Sequence, residues 1–153
     1  MKKNAVLCLA ILCIACENKK IEYHSNGKIS KEYELKDKKV HGIYKEFFAN
    51  GKQKAVHIYN YGKLVDSSIF FQNNRVRKIN YYLNNDTIKS ITFYSDGKIK
   101  DEGKYLDEIK IGKWKYYSKK GKLTKVFEYI NLNGKQYTNQ GWHFDVKRDT
   151  IKD

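Results

Sequence analysis

The chain predicts an all-β fold: an elongated antiparallel β-meander built from hairpin repeats of about 23 residues. Three observations carry this. First, turn residues recur at a near-constant step. Asn26-Gly27-Lys28, Asn50-Gly51-Lys52, Asn73-Asn74-Arg75, Asp96-Gly97-Lys98 and Lys120-Gly121-Lys122 put Gly or Asn at 27, 51, 74, 97 and 121, in steps of 24, 23, 23 and 24. Second, Gly62, Asn85 and a looser Gly134 fall between them, so positions 51, 62, 74, 85 and 97 run in steps of 11, 12, 11 and 12. Third, an aromatic stands three residues before each of those five: Phe48, Tyr59, Phe71, Tyr82 and Tyr94.

The turns come first in the argument. Asn-Gly, Asp-Gly and Asn-Asn reach positive φ at little cost, which tight hairpins require. Gly27, Gly51, Gly62, Asn74, Asn85, Gly97, Gly121 and Gly134 are therefore the structural turn positions. Between them lie strand-length runs such as Val65–Phe71 and Thr87–Tyr94, β-branched and aromatic with partial alternation. A strand plus its turn takes eleven or twelve residues, which gives about ten strands in all. The aromatic before each turn sits at a strand end, where it is expected to stack on the equivalent ring of a neighbouring hairpin. Thirteen Tyr, seven Phe and two Trp exclude disorder. Proline is absent and helix signals are weak. Residues 141–153 read as a tail or a last strand.

The N-terminus is different. Met1-Lys2-Lys3-Asn4 precedes eleven apolar residues, Ala5 to Ala15, and then Cys16. A short basic start and a short apolar run read as a secretory signal over 1–15. The run is well short of the ~20 residues of a membrane-spanning helix. Ile14-Ala15-Cys16 resembles the end of a bacterial lipoprotein signal, with Cys13 three before the cysteine. The resemblance implies that Cys16 is acylated and becomes the first mature residue. Residues 16–20 would be a tether, and 21–140 the repeat domain of a lipid-anchored, extracytoplasmic protein of the bacterial cell envelope.

All three cysteines, Cys8, Cys13 and Cys16, lie in or beside this leader. The repeat domain therefore has no disulfide, thiolate nucleophile or cysteine metal site. His24, His41, His57 and His143 are scattered without metal-ligand spacing. His41 reads as a surface turn residue. Asp101-Glu102 and Asp107-Glu108 are adjacent acids, which on a strand point to opposite faces. Asp66-Ser67-Ser68 and His57 on a neighbouring strand suggest a hydroxyl–imidazole pair, but no oxyanion loop accompanies them. No phosphate-cradling glycine loop is present. The chain is thus expected not to be an enzyme, and to need neither metal nor cofactor.

The formal charge is +14, or +12 once Lys2 and Lys3 leave with the leader. Only Arg75, Arg77 and Arg148 among the 31 basic residues are arginine. The lysines often follow the turn glycines. They serve to keep sheet surfaces solvated, or to attract an anionic partner such as lipid headgroups or polysaccharide. Arg75, Arg77, Lys78, Tyr81 and Tyr82 form the best local basic–aromatic cluster. Such a cluster suits nucleic acid, but export removes that partner, so nucleic acid is not expected.

Two segments bring a family into view. His41 to Lys52 and Ile111 to Leu123 are similar to the unit of MORN-type repeats. They are more similar still to a bacterial MORN-variant group of the YwqK type, labelled as toxin–antitoxin system antitoxins. Gly42, Tyr44, Phe47, Phe48, Asn50 and Gly51 match the unit, as do Gly112, Trp114, Tyr116, Tyr117 and Gly121; Gly103 and Tyr105 match more weakly. In the middle, Asn73-Asn74 and Asn84-Asn85-Asp86 replace the expected glycines. The resemblance implies a hairpin array, and by the label an antitoxin that neutralises a cognate toxin. Export favours instead a non-enzymatic, envelope-anchored binding or scaffold protein, with an envelope protein among its partners. The strongest contact patch is expected around Trp114, Tyr116 and Tyr117, with Arg75, Arg77, Tyr81 and Tyr82 as the second. The same rings serve equally well to pack the repeat.

Overall fold

The computed structural model describes residues 18–132, 135–143 and 151–152. The strands are β1 (Lys19–Tyr23), β2 (Ile29–Lys36), β3 (Lys39–Phe47), β4 (Gln53–Asn60), β5 (Lys63–Gln72), β6 (Arg75–Leu83), β7 (Asp86–Phe93), β8 (Ile99–Leu106), β9 (Ile109–Tyr117), β10 (Leu123–Leu132), β11 (Lys135–His143) and β12 (Ile151–Lys152). Each pairs antiparallel with its neighbour in sequence, in one open sheet. The fold class is the expected one. The strands number twelve rather than about ten: β1 starts inside the expected tether, and β12 adds to the far edge. Cys16, Gly134 and Arg148 lie outside the described residues.

The two ends of the strands are built differently. One rim carries three-residue loops at Ser25–Gly27, Ala49–Gly51, Ser95–Gly97 and Lys119–Gly121. In each, the glycine N–H donates to the carbonyl three residues back, at 2.8–3.0 Å. The glycine takes positive φ, from +77° to +90°. Asn26, Asn50 and Asp96 close their own loops by accepting from the backbone N–H two residues on. The same rim holds one two-residue turn, Asn73-Asn74, with both φ positive. That is why asparagine stands there where glycine was expected. The other rim has two-residue turns at Asp37-Lys38, Tyr61-Gly62, Asn84-Asn85 and Asp107-Glu108, all with positive φ at both positions. Asp107-Glu108 is therefore a hairpin turn, not a strand pair as the sequence suggested.

Lys38 and Glu108 take a left-handed conformation that costs an ordinary residue about 1 kcal/mol. Glu108→Gly is expected to raise stability by about 0.5 kcal/mol, after the entropy of the freer unfolded chain is subtracted. Urea unfolding of Glu108→Gly and of a strand control, Lys100→Gly, checks this. The control should lose stability instead.

Register places residues on faces. Tyr44, His57, Ser68, Asn80, Ser90 and Gly103 are successive cross-strand partners in one row. Trp114 continues the row, its indole lying over Gly103. The six buried residues among those described, Ala55, Ser68, Asn80, Ser90, Gly103 and Trp114, all lie on this face. It is the packed face. At one end, Tyr33 stacks on Tyr44 at 5.2 Å, and Phe70 meets His57 edge-on. At the other, Trp114 meets Tyr105 and Tyr129 edge-on. The middle is polar. The Ser90 hydroxyl donates to Asn80 Oδ1 at 2.9 Å, and Asn80 Nδ2 donates to the Tyr82 hydroxyl at 3.2 Å. Small side chains let their larger neighbours close over them.

The opposite face is open. Glu32, Lys45, Val56, Ile69, Ile79, Ile91, Glu102 and Lys115 are successive partners across β2 to β9. An aliphatic stripe four strands wide is thus bracketed by a glutamate and a lysine at each end.

Candidate functional site

The first candidate patch is a packing cluster. Trp114 is 2% exposed. Its indole N–H donates to the Lys104 carbonyl at 3.0 Å. The Lys110 ammonium stands 4.0 Å from its ring and donates to the Tyr116 hydroxyl at 3.3 Å. Tyr116 and Tyr129 share a hydroxyl contact at 3.1 Å. Tyr117 is on the opposite face, where its hydroxyl donates to Glu102 Oε1 at 2.9 Å. Burial, then that hydrogen bond, pushes Tyr117 up to about 12. Trp114 therefore offers no surface to a partner; Tyr116 shares its cluster through Lys110, and Tyr117 is separated from both on the other face.

The second cluster divides as well. Tyr81 lies on the open face beneath the Lys89 ammonium. Tyr82, its neighbour on β6, lies on the packed face and accepts from Asn80. Arg75 and Arg77 stay together. With Gln72, Asn73 and Ser95 they line an open cleft of about 450 Å³ at the first rim. The Arg75 guanidinium also donates to the Ser95 carbonyl.

The hydroxyl–imidazole pair is formed. His57 Nδ1 is 2.7 Å from Ser68 Oγ, and Glu46 Oε1 is 3.8 Å from His57 Nε2. Ser68 is 0% exposed, so its hydroxyl meets no solvent or substrate. The pair is part of the packed row that joins β4 to β5. Burial holds the His57 imidazole below its ordinary range; Glu46 pulls it up and Lys54 pushes it down, and burial wins. The sign follows. The unfolded chain takes up this proton first, near pH 6.5, while native His57 is still neutral. Stability is expected to fall as pH drops below about 6.5, and to stop falling once the native imidazole also protonates. His57→Gln should flatten that step in thermal unfolding followed from pH 8 to pH 5. An unchanged step would assign it to other groups.

The strongest asymmetry lies in the rims. The loops and turn of the first rim carry Lys28, Lys52, Arg75, Lys98, Lys119, Lys120 and Lys122, against Asp96 alone. The two-residue turns of the second rim, with their flanking residues, carry Lys36, Lys38, Lys39 and Lys63 against Asp37, Asp86, Asp107 and Glu108. Counted over these turns, one rim is strongly cationic and the other balanced, with Lys19 and Lys135 at its strand ends besides.

The first rim is also ordered. Lys28 Nζ donates to the Asn50 carbonyl at 3.1 Å, and Lys98 Nζ to the Lys119 carbonyl at 3.0 Å. Arg75 makes the equivalent reach to Ser95. At three of the five turns, the cation that follows thus ties its loop to the next. Asn26 Nδ2 adds a bond to the Ala49 carbonyl. Tyr94 donates its hydroxyl to the Tyr117 carbonyl at 2.7 Å, so this ring before a turn links successive repeats by a hydrogen bond. Successive loops are two strands apart, about 9.5 Å. The result is a row of cations about 40 Å long. The sequence held the signal in the lysines after turn glycines, but it takes the alternation of turns to place them all at one end.

No group of three or more His, Asp or Glu among the described residues is placed to hold a metal ion. No protein-family model and no curated protein matches the chain. Among solved structures, the chain is similar to part of a variant of S. aureus TarM in complex with fondaparinux, alpha-GlcNAc-glycerol and UDP, at 17% identity and a TM-score of 0.45. A second structure of TarM is similar at 17% identity and a TM-score of 0.44. Each match covers 80% of this chain but only 22% or 21% of the other, so the chain spans about a fifth of their length.

Proposed function

We propose that this protein is a non-enzymatic binding or scaffold module of a bacterial cell envelope, lipid-anchored through Cys16, that meets an anionic partner with its first rim. The observation that supports this most is the charge difference between the rims. A row of cations on ordered loops attracts a polyanion at long range and releases counterions on contact. Lysine dominates the row, so recognition is of charge rather than of a bidentate pattern. The chain enters β1 at the neutral rim, where Lys19 pairs with Glu34. A tether leaving there lets the cationic rim face away from the anchoring membrane, about 25 Å off along the strands. Anionic polysaccharide then fits better than the headgroups of that membrane.

Binding of the full chain to polyphosphate, from about 50 to 200 mM salt, tests the partner class. Replacing Lys28, Lys52, Lys98 and Lys122 with glutamine is expected to weaken binding about tenfold or more and to flatten its salt dependence. The same change at Lys36, Lys39 and Lys63 on the neutral rim should leave it nearly intact. Equal losses would overturn the assignment to the first rim. Preference for anionic vesicles over polyphosphate would move the partner to a bilayer. Mass spectrometry of the native N-terminus tests the anchor, and an unprocessed Met1 would remove it.

A further inference from the structure

The open face is complementary to itself. Its central row reads Glu32, Lys45, two aliphatic residues, then two more, then Glu102 and Lys115, one residue on each of β2 to β9. The centre of the row lies between Ile69 on β5 and Ile79 on β6. Counting outward from that point, every residue has an opposite number of the right kind. Val56 answers Ile91, Lys45 answers Glu102, and Glu32 answers Lys115.

We propose that two copies of this chain pack open face to open face about a two-fold axis parallel to the strands. Such an axis lays each half of the row on the opposite half of the partner's row. Lys45 then meets Glu102 of the second copy, Glu32 meets its Lys115, and the aliphatic stripes cover one another. Both sets occur twice, as an isologous contact demands. Charge also selects the axis. A two-fold axis in the sheet plane but across the strands sets each residue on itself, so Glu32 faces Glu32 and Lys45 faces Lys45. Like charges brought together oppose that arrangement.

The side chains fit this use. Val56, Ile69, Ile79 and Ile91 are only half-buried within one sheet. Nothing in the described chain forms a second layer over them. Face-to-face sheets pack about 10 Å apart with nearly aligned strands, which keeps the row on the row. Eight strands, two side chains deep, bury about 500 Å² per copy, or about 1,000 Å² in all. That sits at the lower bound for a specific interface. Within one copy, Glu32 already pairs with Lys19 at 2.7 Å and stands 3.7 Å from Lys45, while Glu102 accepts from Tyr117 at 2.9 Å and stands 3.9 Å from Lys89. Each carboxylate can accept further hydrogen bonds, so a cation of the second copy adds to these contacts.

The experiment is sedimentation of the full chain over a concentration series, with two charge reversals. The wild type is expected to dimerise reversibly. Lys45→Glu sets two acids against each other twice over and should weaken the dimer at least tenfold. Glu102→Lys does the same with two cations. Mixed in equal amounts, the two variants should pair with each other, because both cross-contacts are then opposite in sign. A purely structural role for either residue gives no such recovery. A wild type that stays monomeric overturns the proposal. So does a dimer that ignores both reversals, which would point to pairing along β1 or β12. Loss in both variants without recovery on mixing also overturns it.

Discussion

Gly103→Ala is expected to cost about 3 kcal/mol or more, an unusual loss for one methyl group in a strand. An added Cβ would stand 2.2 Å from Trp114 Cδ2 and 2.3 Å from Cε2. The ring has no easy retreat. Its N–H is held by the Lys104 carbonyl, Tyr105 meets it at 5.1 Å, and Lys110 lies above it. Elsewhere in a strand, Gly→Ala gains about 0.5–1 kcal/mol, so the sign itself is informative. Trp114→Ala is expected to cost about 3–5 kcal/mol by loss of the buried ring. The double variant should cost little more than Trp114→Ala alone, since the clash has gone. Urea unfolding of the four proteins gives the cycle. Additive losses would show that the indole does not lie over Gly103.

The second large effect lies in the polar middle of the packed face. Asn80→Ala is expected to cost about 2–3 kcal/mol. It removes the acceptor of the Ser90 hydroxyl and the donor to Tyr82. Ser90 is 1% exposed, so its hydroxyl has no water to turn to. Leaving a buried polar group unpaired costs more than removing both partners. Asn80→Ala combined with Ser90→Ala should therefore cost less than the sum of the single changes. A sum that adds up would mean the two side chains act separately.

The turns were the most legible part of the chain. Asn-Gly and Asp-Gly name positions of positive φ, and their alternation names the meander. Asp37-Lys38 and Asp107-Glu108 were hidden because neither carries Gly or Asn. There the pairing of the flanking strands overrides local preference. The bulges were hidden too. Gly42 and Gly112 take positive φ where β3 and β9 slip register, and Asp66 does the same on β5. The glycine of the repeat unit is thus a bulge residue, which its spacing alone does not reveal.

The site was legible only in part. Trp114 looked like a contact residue because a rare large ring is as suitable for an interface as for a core. Only the glycine opposite, Gly103, decides between them, and cross-strand partners 11 residues apart are not adjacent in sequence. Tyr81 and Tyr82 looked like one patch because they are neighbours in the chain, yet strand geometry sends them to opposite faces. Ser68 drew attention only as a partner for His57, and Asn80 and Ser90 carried no signal of burial. They are buried in the central row of the packed face, where each finds a side-chain partner. The lysines read as diffuse, and become a rim only when every second turn is gathered at one end.

An NMR titration of the full chain with polyphosphate tests the cationic rim most directly. The amides of Gly27, Gly51, Gly97 and Gly121, one per three-residue loop, should shift together and return when salt is added. Those of Gly62 and Asn85, in the two-residue turns of the neutral rim, should stay in place. Shifts at Gly62 and Asn85 as large as those at the four loop glycines would contradict the account.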